Sequence, residues 1–253
     1  MLVAGCAPLS PLPAGELAFG ALGDTPYSDA EVARLDRLID EMNEQPLAFV
    51  VHVGDIGSSM AACADDWLLA RKAQFARLRH RFVLLPGDNE WSDCKDPLDR
   101  LKRWREIFCE TPADFCEHRR WETAGWVFVA LNVPGSNNNV RHPEHRPRMQ
   151  AVLSWLDQAA AAAAQDGKGL AVLTQANPFV TLPRDGYAEL RRSLERIAAR
   201  NPGKVVLIHG DTHVHRDDEP LPGLRRIEIW GSPMVSWLRV SILPGRLRVD
   251  AVR

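Results

Sequence analysis

Five short polar segments of this sequence each follow an apolar run and contain residues that could bind a metal ion. Aspartate follows glycine in four of them, and the segments also supply amide and imidazole side chains. Carboxylate, amide and imidazole groups that meet in one place are the ligands that divalent cations require in proteins. The segments are Gly23-Asp24, Gly54-Asp55, Gly87-Asp88-Asn89-Glu90, Thr174-Gln175-Ala176-Asn177-Pro178 and His209-Gly210-Asp211-Thr212-His213.

Each of these segments is weak evidence by itself, because Gly-Asp after a strand is a common turn. Their order carries more weight, since loops at the carboxyl ends of parallel strands converge on one crevice. Asp211 and His213 add to it, because residues i and i+2 of an extended segment project to one side. Gln175 has a plainer alternative, in which a glutamine at a strand end only satisfies backbone groups. The series as a whole predicts one metal-binding crevice.

Apolar runs of strand length alternate with segments of helical period, which predicts an α/β core. The tail from Arg225 to Arg253 has three short runs and no helical period, so it predicts antiparallel strands that form a second sheet or widen the first. Residues 1–15 are rich in Pro and Gly and predict a tether, followed by one domain over 16–253. Predicted strands cover 17–22, 47–53, 82–85, 126–133, 170–174 and 205–208; a capping box at Ser28 starts one predicted helix, and others lie near 67–78, 98–108, 149–165 and 187–199.

The polar series resembles the calcineurin-like metallophosphoesterase superfamily over about residues 16 to 242. That family has an aspartate after its first strand, often as Asp-x-His, then Gly-Asp, Gly-Asn-His-Asp/Glu, a later histidine and a closing Gly-His-x-His. The resemblance implies a sandwich of two mixed β-sheets flanked by helices, with two metal ions at the strand ends. It also implies a metal-dependent phosphoester hydrolase in which a hydroxide bridging the two ions attacks phosphorus.

The resemblance assigns a role to each matching position. Asp24 stands where the family binds its first metal, and Asp55 stands where it bridges both. Asn89 occupies the place of the catalytic histidine and would orient the phosphoryl or leaving oxygen. The remaining metal positions are occupied by Asp88, in place of an asparagine, and by Gln175, Asp211 and His213.

The departures from the family pattern change the expected chemistry. With Gln175 and Asp211 in place of histidine, one of the two metal sites has nearly all oxygen ligands, which favours Mn or Mg over Zn. Asn89 can donate a hydrogen bond but cannot deliver a proton at neutral pH. His209 and His215, which flank the closing motif, are the next candidates for the acid, followed by His142. The missing histidines also leave open a non-catalytic metal- or ligand-binding protein, or a surface scaffold, with the same fold.

An asparagine-rich segment after the run that ends at Val133 is the predicted substrate contact. Asn137 and Asn138 supply small hydrogen-bond donors, Arg141 or Arg146 could hold a phosphate, and His142 lies beside them. The alternative is a solvated turn. The sequence leaves the substrate open between a phosphorylated small molecule and a diester.

The amino terminus and the cysteines bear on the cellular compartment. Val3-Ala4-Gly5-Cys6 resembles the end of a bacterial lipoprotein signal, with Cys6 as a possible lipid anchor, although a chance match is as good an explanation. The other four cysteines, which allow three disulfide pairings or a reduced state, are Cys63, Cys94, Cys109 and Cys116. These features favour the bacterial cell envelope or periplasm, with a cytoplasmic protein as the alternative.

Composition excludes some partners. A formal net charge of -2 gives no sign of a nucleic-acid-binding patch. No apolar run approaches the ~20 residues that a transmembrane helix needs.

Overall fold

A computed structural model of the chain describes residues 17–180 and 183–251. The predicted tether and Cys6 lie outside the described residues. The strands are β1 (Leu17–Leu22), β2 (Leu47–His52), β3 (Phe82–Leu84), β4 (Arg119–Thr123), β5 (Trp126–Ala130), β6 (Gly169–Leu173), β7 (Val205–His209), β8 (Arg216–Leu221), β9 (Leu224–Glu228), β10 (Leu238–Leu243) and β11 (Arg246–Ala251). The helices are α1 (Asp29–Asn43), α2 (Ser59–Ala62), α3 (Asp65–Phe75), α4 (Pro97–Phe108), α5 (Gly135–Asn138), α6 (His145–Gln165) and α7 (Ala188–Arg200).

The strands form two mixed sheets, which confirms the expected sandwich. One sheet has the order β11-β10-β1-β2-β3 and the other β4-β5-β6-β7-β9-β8. Their facing sides bury an aromatic group in which Phe49 stacks on Phe19 and meets Phe128 edge to face. The outer face of the first sheet packs against residues of α1, α3 and α4, and that of the second against α6 and α7. No described helix combines the length and the apolar character needed to cross a bilayer.

Parallel pairing at the centre of each sheet brings the polar segments to one edge. β1 pairs parallel with β2 and β2 with β3, while β5, β6, β7 and β9 are parallel neighbours in the other sheet. The loops that leave these strands bond to one another: Asp24 N donates to Gly54 O (3.0 Å) and Gly210 N donates to Gln175 O (3.0 Å). The carboxyl ends of both sheets therefore form a single crevice, as the series predicted.

The carboxyl-terminal region differs from the prediction of antiparallel strands throughout. β9 runs parallel to β7 in the second sheet, whereas β10 and β11 are antiparallel strands of the first. β4 and β8 were not predicted, because neither has an apolar alternation. In β8 the acidic run is paired with arginines of β9 rather than simply solvated, with Asp217 bonded to Arg225 (2.6 Å) and Asp218 to Arg226 (2.5 Å).

The four cysteines of the described chain form two disulfides, Cys63–Cys94 and Cys109–Cys116. This selects one of the three pairings that the sequence allowed. Cys63 ends α2, and Cys94 lies in the loop that follows Asp88, so the first disulfide joins the segments after β2 and β3. The second closes the turn that follows α4. Both covalent links lie in loops that follow the first sheet.

The Cys63–Cys94 link gives a test of this pairing. Replacing both residues, as Cys63→Ala with Cys94→Ala, should lower the free energy of unfolding by about 2–4 kcal/mol, because the unfolded chain regains the freedom of a 31-residue loop. Denaturant titration with and without reductant measures the change in the free energy of unfolding. Reduced wild type should lose at least as much of this free energy as the double variant does. Unfolded, unreduced wild type should expose at most one reactive thiol. Four or five reactive thiols, with no effect of reductant, would contradict the pairing.

Candidate metal centre

Four of the predicted metal ligands lie in left-handed backbone conformation. The φ angle is 48° at Asp24, 58° at Asp55, 80° at Asp211 and 60° at His213. A non-glycine residue in this region costs about 1–3 kcal/mol and persists where the surrounding structure fixes it, most often at ligand sites. The chain thus holds unfavourable backbone conformations at the positions that the sequence series singled out.

Asp55 is at the middle of the cluster. Its Oδ1 accepts a hydrogen bond from the backbone N–H of Asn89 (3.1 Å). Its Oδ2 accepts from the Tyr27 hydroxyl (3.0 Å) and from Gln175 Nε2 (3.2 Å). The Asn89 side-chain amide donates to the Tyr27 oxygen (3.1 Å) and to Gly57 O (2.9 Å), so both of its N–H groups are used within the protein. Asn89 therefore positions Tyr27, a residue whose role the sequence did not predict.

Asp24, Asp211 and His213 meet on the other side of the crevice. Asp211 N donates to the Asp24 carboxylate (3.0 Å), and His213 Nε2 lies 3.9 Å from Asp24 Oδ1. His213 Nδ1 lies 2.7 Å from the carbonyl of Ser232, which can only accept, so Nδ1 carries the proton. Nε2 is left with a lone pair, and it lies 3.4 Å from the Tyr27 hydroxyl as well as near the Asp24 carboxylate. A metal-binding histidine is held by the same kind of hydrogen bond from its second nitrogen.

Asp88 reaches the cluster from the loop after β3. Its Oδ2 accepts from the Ser136 hydroxyl (2.9 Å), while its buried Oδ1 has no hydrogen-bond partner within the described residues. A Cβ added at Gly135 would lie 2.7 Å from that Oδ1 and 2.8 Å from Asp211 Oδ1. The glycine therefore allows the backbone to approach two carboxylates at once. Nothing in the sequence around Gly135 predicts this role.

The carboxyls of the cluster repel one another in a desolvated place. Burial, and then neighbouring carboxylates, raise the pKa of Asp24, Asp55, Asp88 and Asp211, the last to about 7. Burial also raises the pKa of Glu90 to about 7. None of the five forms an ion pair with a lysine or arginine of the described chain. A bound cation would offset this repulsion directly.

The Glu90 carboxylate joins two of the loops that carry predicted metal ligands. Its Oε2 accepts from the backbone N–H of Gly87 (2.6 Å) and of Asp55 (3.2 Å), and its Oε1 accepts from Ile56 N. One carboxylate therefore binds the loops after β2 and β3. This fixes the separation of Asp55 and Asp88.

His52 is a buried histidine that supports the loops of the cluster. The N–H of Gly54 donates to its Nδ1 (3.2 Å), so the proton lies on Nε2 and is donated to Thr25 O (2.9 Å). Burial lowers the pKa of the imidazole to about 4, which keeps it neutral at physiological pH. His52 thus links the loops after β1 and β2.

The donor set fits a divalent cation in its chemistry. It combines uncompensated carboxylates, an unpartnered Asp88 oxygen and a histidine nitrogen with its lone pair facing inward. As they stand, no three His, Cys, Asp or Glu side chains in the described ranges are close enough to enclose an ion. Several carboxylate oxygens instead accept hydrogen bonds from Tyr27, Gln175 and backbone amides. Ion binding would therefore require these side chains to turn.

The two leading candidates for the catalytic acid lie away from this cluster. His209 is buried, and burial lowers its pKa to about 3, so it carries no second proton to donate at neutral pH. Its Nδ1 faces Gly210 O (2.8 Å). His215 donates from Nδ1 to Glu228 O (2.7 Å) and stacks on Trp230. Neither contacts Asp55 or Asp88 among the described residues, so neither is retained as the acid.

The asparagine-rich segment is mainly structural. The residues from Ser136 to Asn139 all have positive φ. Asn138 is buried, accepts from Arg148 (2.6 Å) and donates to Gly186 O (2.8 Å), which excludes it from substrate contact. Asn137 donates to Pro183 O and accepts from Gly186 N. His142 accepts from Glu144 N. Arg141 is exposed and lines a cavity of about 350 Å³ together with Ser136 and Asn137, so it stays a candidate for substrate contact.

The family model for calcineurin-like phosphoesterases matches residues 17–215. The chain belongs to this family. Phosphoester hydrolysis is the chemistry associated with calcineurin-like phosphoesterases, and residues 17–215 include every predicted metal position. A search of curated protein sequences finds no match.

Several solved structures share this calcineurin-like fold. A dimetal phosphatase from Danio rerio is 14% identical, with a TM-score of 0.66 and coverage of 93% of this chain and 96% of that one. A purple acid phosphatase from yellow lupin (Lupinus luteus) is 11% identical, with a TM-score of 0.61; this chain is covered to 96% and spans 52% of the plant chain. GAP50, described as the anchor in the inner membrane complex of Plasmodium, is 10% identical, with a TM-score of 0.62 and coverage of 94% and 89%. At these identities the likeness establishes the fold.

The raised pKa values predict how the stability of metal-free protein depends on pH. Asp211 has an ordinary pKa of 3.8 when unfolded and about 7 when folded, so between these values the folded state binds more protons. Stability is therefore lost as the pH rises from about 4 to about 7. Asp211→Asn removes this loss. The free energy of unfolding of the variant should therefore rise, relative to that of wild type, by up to about 1.4 kcal/mol per pH unit in that window.

Chemical denaturation of chelator-treated protein at several pH values measures the difference. The matched control is Asp66→Asn, at an exposed carboxylate of α3, which should not show the trend. An Asp211→Asn protein that is less stable than wild type at pH 8 would show that the carboxylate is already compensated without metal.

Proposed function

We propose that this protein hydrolyses phosphoesters at the carboxylate cluster with the help of bound divalent cations. The observation that carries the proposal is the group of three buried aspartates and the half-buried Asp211, which have no lysine or arginine partner in the described chain. Membership of the calcineurin-like family supports it, and so does the fold shared with a protein named as a dimetal phosphatase. Such a cluster is costly unless a cation binds there.

The proposed metal ligands are those of the sequence series, and the family pattern that they follow implies two ions. Oxygen donors predominate and there is one imidazole, so Mn or Mg is favoured over Zn. Asp55 is the residue that would contact both ions, because it matches the family's bridging position and its two oxygens accept from the loops after β3 and β6, through Asn89 and Gln175. The set is Asp24, Asp55, Asp88, Gln175, Asp211 and His213.

The bound cations would supply an activated water and neutralise the charge on the phosphoryl group. In the reaction, the water oxygen forms a bond to phosphorus, the bond from phosphorus to the alcohol oxygen breaks, and the water loses a proton to solvent. Asn89 and Tyr27 act as one unit, since the asparagine amide fixes the phenol at the cluster. The Tyr27 hydroxyl donates to Asp55, and once Asp55 bound an ion that hydroxyl would be free to donate to a phosphoryl or leaving oxygen.

The lack of an acid histidine limits the substrates that we expect. His209 and His215 lie elsewhere, and no histidine occupies the position of Asn89. An alcohol that leaves as a stable anion needs little protonation, so esters of acidic alcohols should be hydrolysed much faster than alkyl esters. Arg141 remains a candidate contact for the phosphoryl side.

A non-catalytic binding protein is the second candidate. The replacement of the family's catalytic histidine by Asn89 favours it. The fold shared with GAP50, a protein described as an anchor, fits the same idea. In that case metal binding would stabilise the fold without turnover.

We also infer that the protein works in an oxidising compartment, such as the bacterial envelope or periplasm. The two disulfides support this, because such bonds persist outside a reducing cytosol. A lipid anchor at Cys6 remains a prediction.

The enzyme proposal predicts metal-dependent turnover that requires Asp55. Chelator-treated wild type should hydrolyse nitrophenyl phosphate or its diester only after Mn or Mg is added. Asp55→Asn should lower kcat/KM by a factor on the order of 10³, because it removes a bridging ligand. The control is Asp99→Asn, at an exposed carboxylate of α4. No turnover with any ion, together with metal-induced thermal stabilisation, would favour the binding protein instead.

Gly135 gives an independent test of where the proposed metal ion binds. Gly135→Ala puts a methyl group within 3 Å of oxygens of Asp88 and Asp211, so Mn affinity should fall about 10–100-fold. Titration calorimetry measures the affinity, and circular dichroism checks the fold. Gly167→Ala, where a methyl group meets nothing within 4 Å, is the control. Unchanged affinity in a folded Gly135→Ala protein would place the ion elsewhere.

A further inference from the structure

A groove of about 990 Å³ lies between α1 and the segment from Trp230 to Ser236. We define it as the α1 groove. The described chain leaves much of its wall open to solvent: Met234 is 58% exposed, and Pro233 is exposed beside it. A groove of this size can hold a small-molecule ligand. No predicted site residue except His215 lines it.

The α1 groove adjoins the carboxylate cluster through Ser232. The backbone N–H of Ser232 donates to Asp24 O (2.9 Å), and its carbonyl accepts from His213 Nδ1. Its hydroxyl donates to Glu31 (2.6 Å), whose other oxygen accepts from Tyr27 N (2.8 Å). One face of the 231–233 segment therefore supports the candidate metal ligands, and the residues on either side of it form the groove wall.

The groove combines an apolar wall with positive charge. Trp230, Met234 and Val235 supply the apolar surface, and His215 stacks on the indole at a ring distance of 5.3 Å. On α1, Arg37 is exposed and forms no ion pair or side-chain hydrogen bond with the described residues. Arg34 reaches only Val235 O at 3.5 Å and Glu41 at 3.9 Å.

The charged residues of the groove wall indicate what charge a ligand should carry. Glu31 is the acidic residue of the wall, and both of its oxygens are already used by Ser232 and Tyr27. The guanidinium groups of α1 are thus the charges left for a ligand. An occupant that matches this surface has an apolar or aromatic body and an anionic group.

We propose that the α1 groove binds the alcohol portion of the phosphoester, and that this portion is an apolar or aromatic group bearing a further negative charge. This rests on the proposed function, because it takes the phosphoryl group to lie at the cluster. The aromatic body packs on Met234 and Trp230, and the negative charge pairs with Arg37. The groove thereby selects amphiphilic, anionic alcohols over small neutral ones.

The test compares two phosphate monoesters with acidic leaving alcohols: nitrophenyl phosphate, which is small, and the phosphate of hydroxycoumarin carboxylate, which is larger and anionic. Met234→Ser and Arg37→Gln should each raise KM for the coumarin ester about tenfold, the loss of one ion pair or apolar contact. Nitrophenyl phosphate should change less than about twofold. The matched controls are Leu98→Ser and Arg200→Gln, at exposed positions of α4 and α7.

A binding measurement separates this proposal from the proposed function. Free hydroxycoumarin carboxylate should bind wild type and Asp55→Asn alike, followed by its fluorescence, and should bind Arg37→Gln about tenfold more weakly. If this holds while no ester is hydrolysed, the groove assignment stands and the enzyme proposal fails. Equal effects of the groove variants on both esters would overturn the assignment. So would an affinity for hydroxycoumarin carboxylate that is unchanged in Arg37→Gln. So would a wild-type dimer that Met234→Ser dissociates, since a second copy would then fill the groove.

Discussion

Mutual repulsion among the carboxylates of the crevice dominates the energetics of the candidate site. Four aspartates enter a crevice where burial penalises each charge and where their neighbours are largely other acids. Left alone, such a group is stable only when partly protonated. A hydrophobic sandwich of two sheets supplies the stability that makes this arrangement possible. A divalent cation is the partner that we propose for this cluster.

The surroundings of the crevice oppose that repulsion by fixing the loops rather than by adding positive charge. Glu90 accepts backbone N–H groups from the loops after β2 and β3, and His52 joins the loops after β1 and β2. The disulfide Cys63–Cys94 adds a covalent link in the same region. These contacts use backbone amides and a neutral imidazole, so they leave the negative charge of the centre available to a cation. The left-handed conformations of Asp24, Asp55, Asp211 and His213 persist within this frame.

The sequence predicted much of this because apolar runs that end in polar residues are visible without a structure. The metal positions and the sandwich came from that order and from the family resemblance. The roles of Tyr27, Glu90 and Gly135 were not predicted, because they depend on contacts between loops that are distant in sequence. His209, a candidate acid from the sequence, is buried with its Nδ1 at Gly210 O, because closeness to Asp211 along the chain does not determine which way a strand side chain points. β8 was missed because its pairing rests on Asp–Arg bonds rather than on apolar alternation.

A crystal structure grown with Mn and measured at the manganese absorption edge tests the central claim most directly. The account predicts anomalous density inside the carboxylate cluster, at about 2.0–2.6 Å from oxygens of Asp55 and of at least two other aspartates of the set. Crystals with ordered aspartates and no anomalous density there, or with the carboxylates protonated and bonded to one another, would contradict it.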